Sequence, residues 1–138
     1  MHKFDPSNKS KLDNEWRREV LPPFKVLESL GLENKYIIAD IGCGIGYFTI
    51  PAAELTAPNK VYALDISGDM LAEASRILVT GGKLAVVDWE KVEMKYGPPV
   101  DHRICSEEVN RLLNESGFDV IKELDFKGIF YGITAVKK

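Results

Sequence analysis

Two spacings of apolar residues run through the chain. Between Lys11 and Leu30, Leu12, Trp16 and Val20 fall on one helical face, and Phe24, Val26, Leu27 and Leu30 form a second set after Pro22-Pro23. Proline stops one helix and is tolerated in the first turn of the next, so two helices are predicted, with Gly31 as the stop of the second. Tyr36 to Ile41 is short and mostly apolar and reads as a buried parallel strand with a carboxylate, Asp40, near its end. A glycine turn follows, then a helix with Pro51 about one turn in. That helix must bend unless it begins late enough for Pro51 to lie in its first turn. Lys60 to Asp65 reads as a second strand.

Ser67 is a plausible N-cap, and Met70, Leu71, Ala74, Ile77 and Leu78 fall on one face of a helix that runs into Thr80-Gly81-Gly82 and a strand from Lys83 to Asp88. A right-handed crossover would set that strand beside the first. Trp89 to Arg103 has no sustained period and contains Gly97-Pro98-Pro99, so it reads as a long loop leaving the carboxyl end of a strand, where open α/β sheets bind ligands. Ser106 is the expected cap of a last helix, with Glu107 and Glu108 in its first turn, a stripe of Val109, Leu112 and Leu113, and a stop at Gly117. Strands Phe118 to Phe126 and Ile129 to Val136 meet around Lys127-Gly128, a turn that only an antiparallel pair can use. The fold class is therefore α/β: a Rossmann-like open sheet, mostly parallel with an antiparallel C-terminal hairpin strand, and helices on both faces.

The chemistry concentrates in the glycine turn. Gly42, Gly44 and Gly46 stand at alternate positions, where the backbone takes positive φ and brings N–H groups close to a ligand. A dinucleotide would place its pyrophosphate over this turn and against Asp40; like charges about 4 Å apart repel by roughly 4 kcal/mol at a surface-like dielectric. The spacing is also GxGxG, not the GxGxxG of dinucleotide folds. A ligand with an ammonium for Asp40, a carboxylate for the backbone N–H groups and a ribose further along meets these features, and S-adenosylmethionine (SAM) is such a ligand. Asp65 ends the next strand, 65 − 46 = 19 residues after Gly46, where an acidic residue accepts from ribose hydroxyls.

With Asp40-x-Gly42-x-Gly44-x-Gly46, Asp65 followed by Ile66-Ser67-Gly68-Asp69-Met70-Leu71, and Leu78-Val79-Thr80-Gly81-Gly82-Lys83-Leu84, the sequence resembles the class I SAM-dependent methyltransferases, especially the small-molecule enzymes related to the ubiquinone and menaquinone methyltransferases. The resemblance implies a cofactor site of Asp40, Gly42, Cys43, Gly44, Gly46, Tyr47, Phe48, Asp65, Ile66 and Met70, with S-adenosylhomocysteine (SAH) as product. It also implies an N-terminal segment that closes over the cofactor, with His2, Phe4 and Trp16 as lid candidates. One SAM-binding domain over 1–138 is expected: an N-terminal cover (1–31), a cofactor core (36–88), a substrate-side loop (89–105) and a C-terminal helix and hairpin (106–138). Asp88, Tyr96, His102 and Arg103 are the substrate-side candidates, and His102 is the candidate for a general base, because an imidazole side chain can exchange protons near neutral pH.

Composition narrows the rest. At 138 residues, 45% hydrophobic and 28% charged, the chain suits one domain with a core. A net charge of −3 supplies no basic field for nucleic acid. No apolar run reaches the ~18 residues of a membrane span, and the start lacks the apolar region of a signal peptide, so a cytoplasmic protein is expected. Cys43 and Cys105 read as free thiols, and with His2 and His102 they show no metal-ligand spacing.

The sequence departs from the family between Asp65 and Lys83. There the methyltransferases have two further strands, a helix and the loop that contacts adenine; here a single amphipathic helix bridges the interval. The explanations are a natural or engineered shortened form, an omitted disordered segment, or a homodimer whose chains exchange elements. A small-molecule methyl acceptor is expected, its identity open. The competing functions are a SAM-binding domain without turnover and, disfavoured by the glycine spacing and Asp40, an NAD-dependent oxidoreductase.

Overall fold

The computed structural model describes residues 13–41, 46–57, 59, 61–64, 74–76 and 78–138, with the backbone alone for Ile41 and Val61–Leu64. The chain divides into two compact units, Met1–Met70 and Leu71–Lys138.

In the first unit, helix α1 (Glu15–Val20) begins at Asn14, whose side-chain oxygen accepts from the Arg17 N–H at 2.9 Å. Helix α2 (Pro23–Ser29) has proline in its first helical position, as expected, and ends on Gly31 at φ +84°. The Leu32 N–H donates to the Leu27 carbonyl at 3.1 Å and the Gly31 N–H to that of Glu28 at 3.0 Å, the paired bonds of a Schellman stop. Strands β1 (Ile38–Ile41) and β2 (Val61–Leu64) are parallel, paired from Ile38 opposite Val61 to Ile41 opposite Leu64, so both end at one edge. Between them, helix α3 (Thr49–Leu55) starts late enough for Pro51 to lie in its first turn, where a missing N–H breaks no helical bond. Val20, Leu21, Val26, Tyr47, Ala52 and Thr56 are buried, the Thr56 hydroxyl being satisfied by the Ala52 carbonyl at 2.8 Å.

In the second unit, residues 74–76 are helical, and the Lys137 ammonium donates to the carbonyls of Ser75 and, at 2.8 Å, Leu78. Strand β3 (Lys83–Trp89), helix α4 (Ser106–Glu115), and strands β4 (Phe118–Phe126) and β5 (Phe130–Lys137) follow. The sheet order is β3-β5-β4, with β5 antiparallel to both neighbours, so β3 and β4 run the same way and β5 alone is reversed. Flanked on both sides, β5 buries every residue from Phe130 to Ala135. The edge strand β4 carries Asp119, Lys122 and Glu123 on exposed positions, which discourages pairing with other chains. A bulge between Val120 and Lys122 turns Ile121 outward. Val109 and Leu113 of α4 are buried, and the helix packs on β4 and β5.

The α/β class and the reversed C-terminal strand agree with expectation. Within the second unit β3 pairs with β5 along its whole length, Lys83 opposite Val136 to Trp89 opposite Phe130, and among the described residues the parallel ladder is β1–β2. The helix expected from Ser67 to Leu78 lies outside the described residues except at 74–76 and 78. Ser106 is the first residue of α4 and not its cap: Cys105 holds the cap position without a side-chain bond, while the Glu90 carboxylate accepts from the Ser106 hydroxyl at 3.0 Å and from its N–H at 3.4 Å.

Candidate active site

Asp40 stands one residue before the carboxyl end of β1, half-buried, and its Oδ2 accepts from the Thr49 hydroxyl at 2.5 Å. Gly46 closes the turn at φ +82°, in the left-handed region that favours glycine, and its carbonyl accepts from the Ile50 N–H at 3.1 Å at the start of α3. Tyr47 is buried; its hydroxyl donates to the Leu21 carbonyl at 2.7 Å, and the Arg17 guanidinium lies 4.2 Å from its ring centroid. Burial raises the Tyr47 pKa, with the Arg17 charge opposing, and lowers that of Arg17. Tyr47 therefore packs α1 onto the turn, with Phe48 edge-on to it at 5.1 Å. Gly42, Cys43, Gly44, Asp65, Ile66 and Met70 lie outside the described residues, as do His2 and Phe4; Trp16 is half-buried on α1.

The loop after β3 is organised by Arg103, which is buried. Its Nε donates to the Pro98 carbonyl at 2.9 Å, Nη1 to those of Val92 at 2.9 Å and Glu90 at 3.3 Å, and Nη2 to that of Tyr96 at 3.1 Å. A loop without a ladder leaves carbonyls to be paired, and the fixed fork of a guanidinium suits several at once. Arg103 also lies 4.9 Å from the Trp89 ring, which stacks against Phe130 at 4.3 Å. Gly97, at φ +90°, lets the loop approach that ring so closely that an added Cβ would come within 2.9 Å of it. Tyr96 and His102 are exposed. Asp88 ends one residue short of the β3 terminus; its Oδ1 accepts from the Trp89 N–H at 2.7 Å, and crowding by protein raises its carboxyl pKa, against the opposing pull of that bond and of Arg103.

A cleft of about 240 Å³ in the second unit is lined by Glu90, Ser106, Glu123, Asp125 and Tyr131. Its polar groups are already engaged: Glu90 with Ser106, Glu123 with Asn110 at 2.8 Å, Asp125 with the Gly128 N–H at 3.0 Å, and the Tyr131 hydroxyl with the Ile104 carbonyl at 3.1 Å. Among the described residues no group of three or more His, Cys, Asp or Glu is placed to hold a metal ion, and no helix is long and apolar enough to cross a membrane.

A family model described as a methyltransferase domain matches residues 38–124, more than half of the chain and reaching from β1 into β4. The chain belongs to the methyltransferase domain family. Solved structures share the fold. A SAM-dependent methyltransferase from Aquifex aeolicus is similar at 23% identity and TM-score 0.86, over 99% of this chain and 100% of that one. A protein described as a type 11 methyltransferase, from Sulfolobus solfataricus, matches at 18% identity and TM-score 0.62, over 88% of this chain and 91% of its own. The magnesium protoporphyrin IX methyltransferase of Synechocystis, solved with bound SAM, matches at 13% identity and TM-score 0.51, over 100% of this chain and 87% of its own. The resemblance to class I SAM-dependent methyltransferases, in shortened form, thus holds for family and fold.

A carboxylate near the end of a strand beside a glycine turn suits the ammonium and carboxylate of an amino-acid tail, and the described residues are compatible with one. Asp40 offers a carboxylate whose Oδ1 has no partner among the described residues, and Gly46 keeps the turn free of a side chain. Sequence reasoning missed Thr49, although a hydroxyl three residues after the last glycine, at the start of a helix, is a readable signal. It also missed Arg17, Leu21 and Glu90, whose partners are distant in sequence.

Proposed function

We propose that this chain is a SAM-dependent methyltransferase acting on a small-molecule acceptor in the cytoplasm. The reading is carried by Asp40, a half-buried carboxylate at the carboxyl end of β1 inside the stretch matched by the methyltransferase family. Asp40 takes the ligand's ammonium, the turn of Gly42, Cys43, Gly44 and Gly46 admits its amino-acid tail, and Asp65 takes the ribose hydroxyls, with Ile66 and Met70 beyond. When bound, SAM supplies a methyl group already activated on a sulfonium, so the protein's task is to orient donor and acceptor and exclude water. On the acceptor side the Arg103-pinned loop presents Tyr96 and His102, with Asp88 at its root; His102 is the group available to take a proton from an acceptor that must lose one.

The test is ligand-induced stabilisation. At about 100 times its dissociation constant, SAM or SAH should add ~2.7 kcal/mol and raise the melting temperature, while NAD should not. Asp65→Ala should weaken SAH binding measured by calorimetry. Stabilisation by NAD without SAH would replace the reading with an oxidoreductase. A SAM-binding domain without turnover is the second reading, favoured by the short interval between Asp65 and Lys83, which stands in place of the family's two further strands and helix. SAH binding without SAH production across a panel of small acceptors would select it. Exchange of elements between two chains would appear as a dimer in size-exclusion with light scattering.

A further inference from the structure

We propose that Thr49 is a positioning residue for the amino-acid end of the adenosyl ligand, a proposal that rests on the function put forward above. Its hydroxyl holds Asp40 by one carboxylate oxygen and leaves the other for the ligand's ammonium. The bond is short, 2.5 Å, and joins the first residue of α3 to β1 across nine positions of chain. An aspartate held only at its own backbone turns freely about its last torsion, and ordering it would be a cost of binding. Thr49 removes that freedom beforehand. As a β-branched residue it has a stiff first torsion, so the hydroxyl is aimed by the backbone that carries it.

That backbone is itself anchored. Two residues earlier, Tyr47 is buried with its hydroxyl on the Leu21 carbonyl and its ring beneath Arg17. The Ile50 and Ala52 N–H groups donate to the Gly46 and Phe48 carbonyls at 3.1 and 2.9 Å. On the other side, Asp40 lies in the parallel ladder opposite Ala63. Both ends of the hydrogen bond are therefore fixed by secondary structure and packing, the condition under which a supporting side chain sets the geometry of the one that touches ligand.

The test compares SAH with 5′-methylthioadenosine, which keeps the adenosine and thioether but lacks the ammonium and carboxylate. In calorimetry, Thr49→Val, nearly isosteric but without the hydroxyl, should weaken SAH by roughly tenfold, the scale of one hydrogen bond to a charged group, and leave methylthioadenosine unchanged. Thr49→Ser should restore most of the SAH affinity. In an Asp40→Asn background, Thr49→Val should have little further effect on SAH, because the two changes remove one interaction. Equal losses for both nucleosides, or no loss for SAH, overturn the positioning role while leaving the methyltransferase reading in place. A wild-type chain that binds neither nucleoside at millimolar concentration overturns both.

Discussion

The two units solve different problems with different means. Among the described residues the first has two strands of four residues each, paired in one parallel ladder, and a half-buried carboxylate near a strand end. The second has strands of nine and eight residues flanking a hairpin, and a central strand whose residues are buried from Phe130 to Ala135. Long ladders with a continuous buried strand hold themselves together. Short strands need side chains to fasten what surrounds them, and in the first unit Tyr47 and Thr49 do so, tying α1 and β1 to the two sides of one turn. The difference teaches that candidate ligand groups sit where the backbone is least self-sufficient, with dedicated side chains compensating nearby.

The loop after β3 tests that contrast most severely, because it lies in the self-sufficient unit yet lacks a ladder of its own. Arg103→Met should remove the guanidinium's bonds to four carbonyls at once and destabilise the second unit by about 2–3 kcal/mol, read from the urea midpoint, since each such bond contributes about 0.5–1.5 kcal/mol net and the Glu90 carbonyl keeps the Val92 N–H. Arg103→Lys should recover only part, because a point charge on a flexible stem does not reach carbonyls in several directions. SAH affinity should stay the same. An unchanged midpoint for Arg103→Met would mean that the loop holds its form without the guanidinium.

A smaller effect is expected in the first unit. Tyr47→Phe keeps the ring under Arg17 and removes only the hydroxyl that meets the Leu21 carbonyl, so the loss should be about 1 kcal/mol. Hydrogen exchange should show it at α1 first, with the amides of Glu15–Val20 exchanging faster than in wild type. If α1 exchanges at the same rate in both, the clasp is not what fastens it.

What was legible in the sequence was local. Pro23 at a helix start, Gly31 at a helix end and the hairpin around Lys127-Gly128 follow from backbone preferences over a few residues, and the structure has all three. The spacing along one short stretch likewise puts Asp40 near the end of a strand and Gly46 in a turn, and the structure has both there. The features that were not legible depend on pairing at a distance: Glu90 fastening the start of α4 across sixteen residues, Tyr47 reaching Leu21 across twenty-six, and β3 pairing with β5. No periodicity encodes these, because each is settled by which partner a folded surface brings near. Arg103 shows the limit most plainly. Its donors meet loop carbonyls, and nothing in the residue type separates that use from a ligand contact.

The smallest predicted effect concerns Asp88 and decides whether charge or packing governs the root of that loop. Its carboxyl is crowded by protein, which raises its pKa above the ordinary value, while the Trp89 N–H and the Arg103 charge pull the other way. The residue as a whole still has an exposed surface, so water moderates the effect. With the folded pKa above the unfolded one, the group's contribution to stability is complete below the unfolded pKa and is lost as pH rises through the folded pKa. Asp88→Asn keeps an oxygen for the Trp89 N–H and removes the charge. Its melting temperature should therefore exceed that of wild type near neutral pH, and the gap should close as pH falls below about 4, the ordinary aspartate range. If wild type proves the more stable at neutral pH, attraction between Asp88 and Arg103 outweighs the loss of hydration. The loop would then be held by an ion pair as well as by its carbonyls, and its stability would fall with added salt, a dependence that the carbonyl contacts alone would not show.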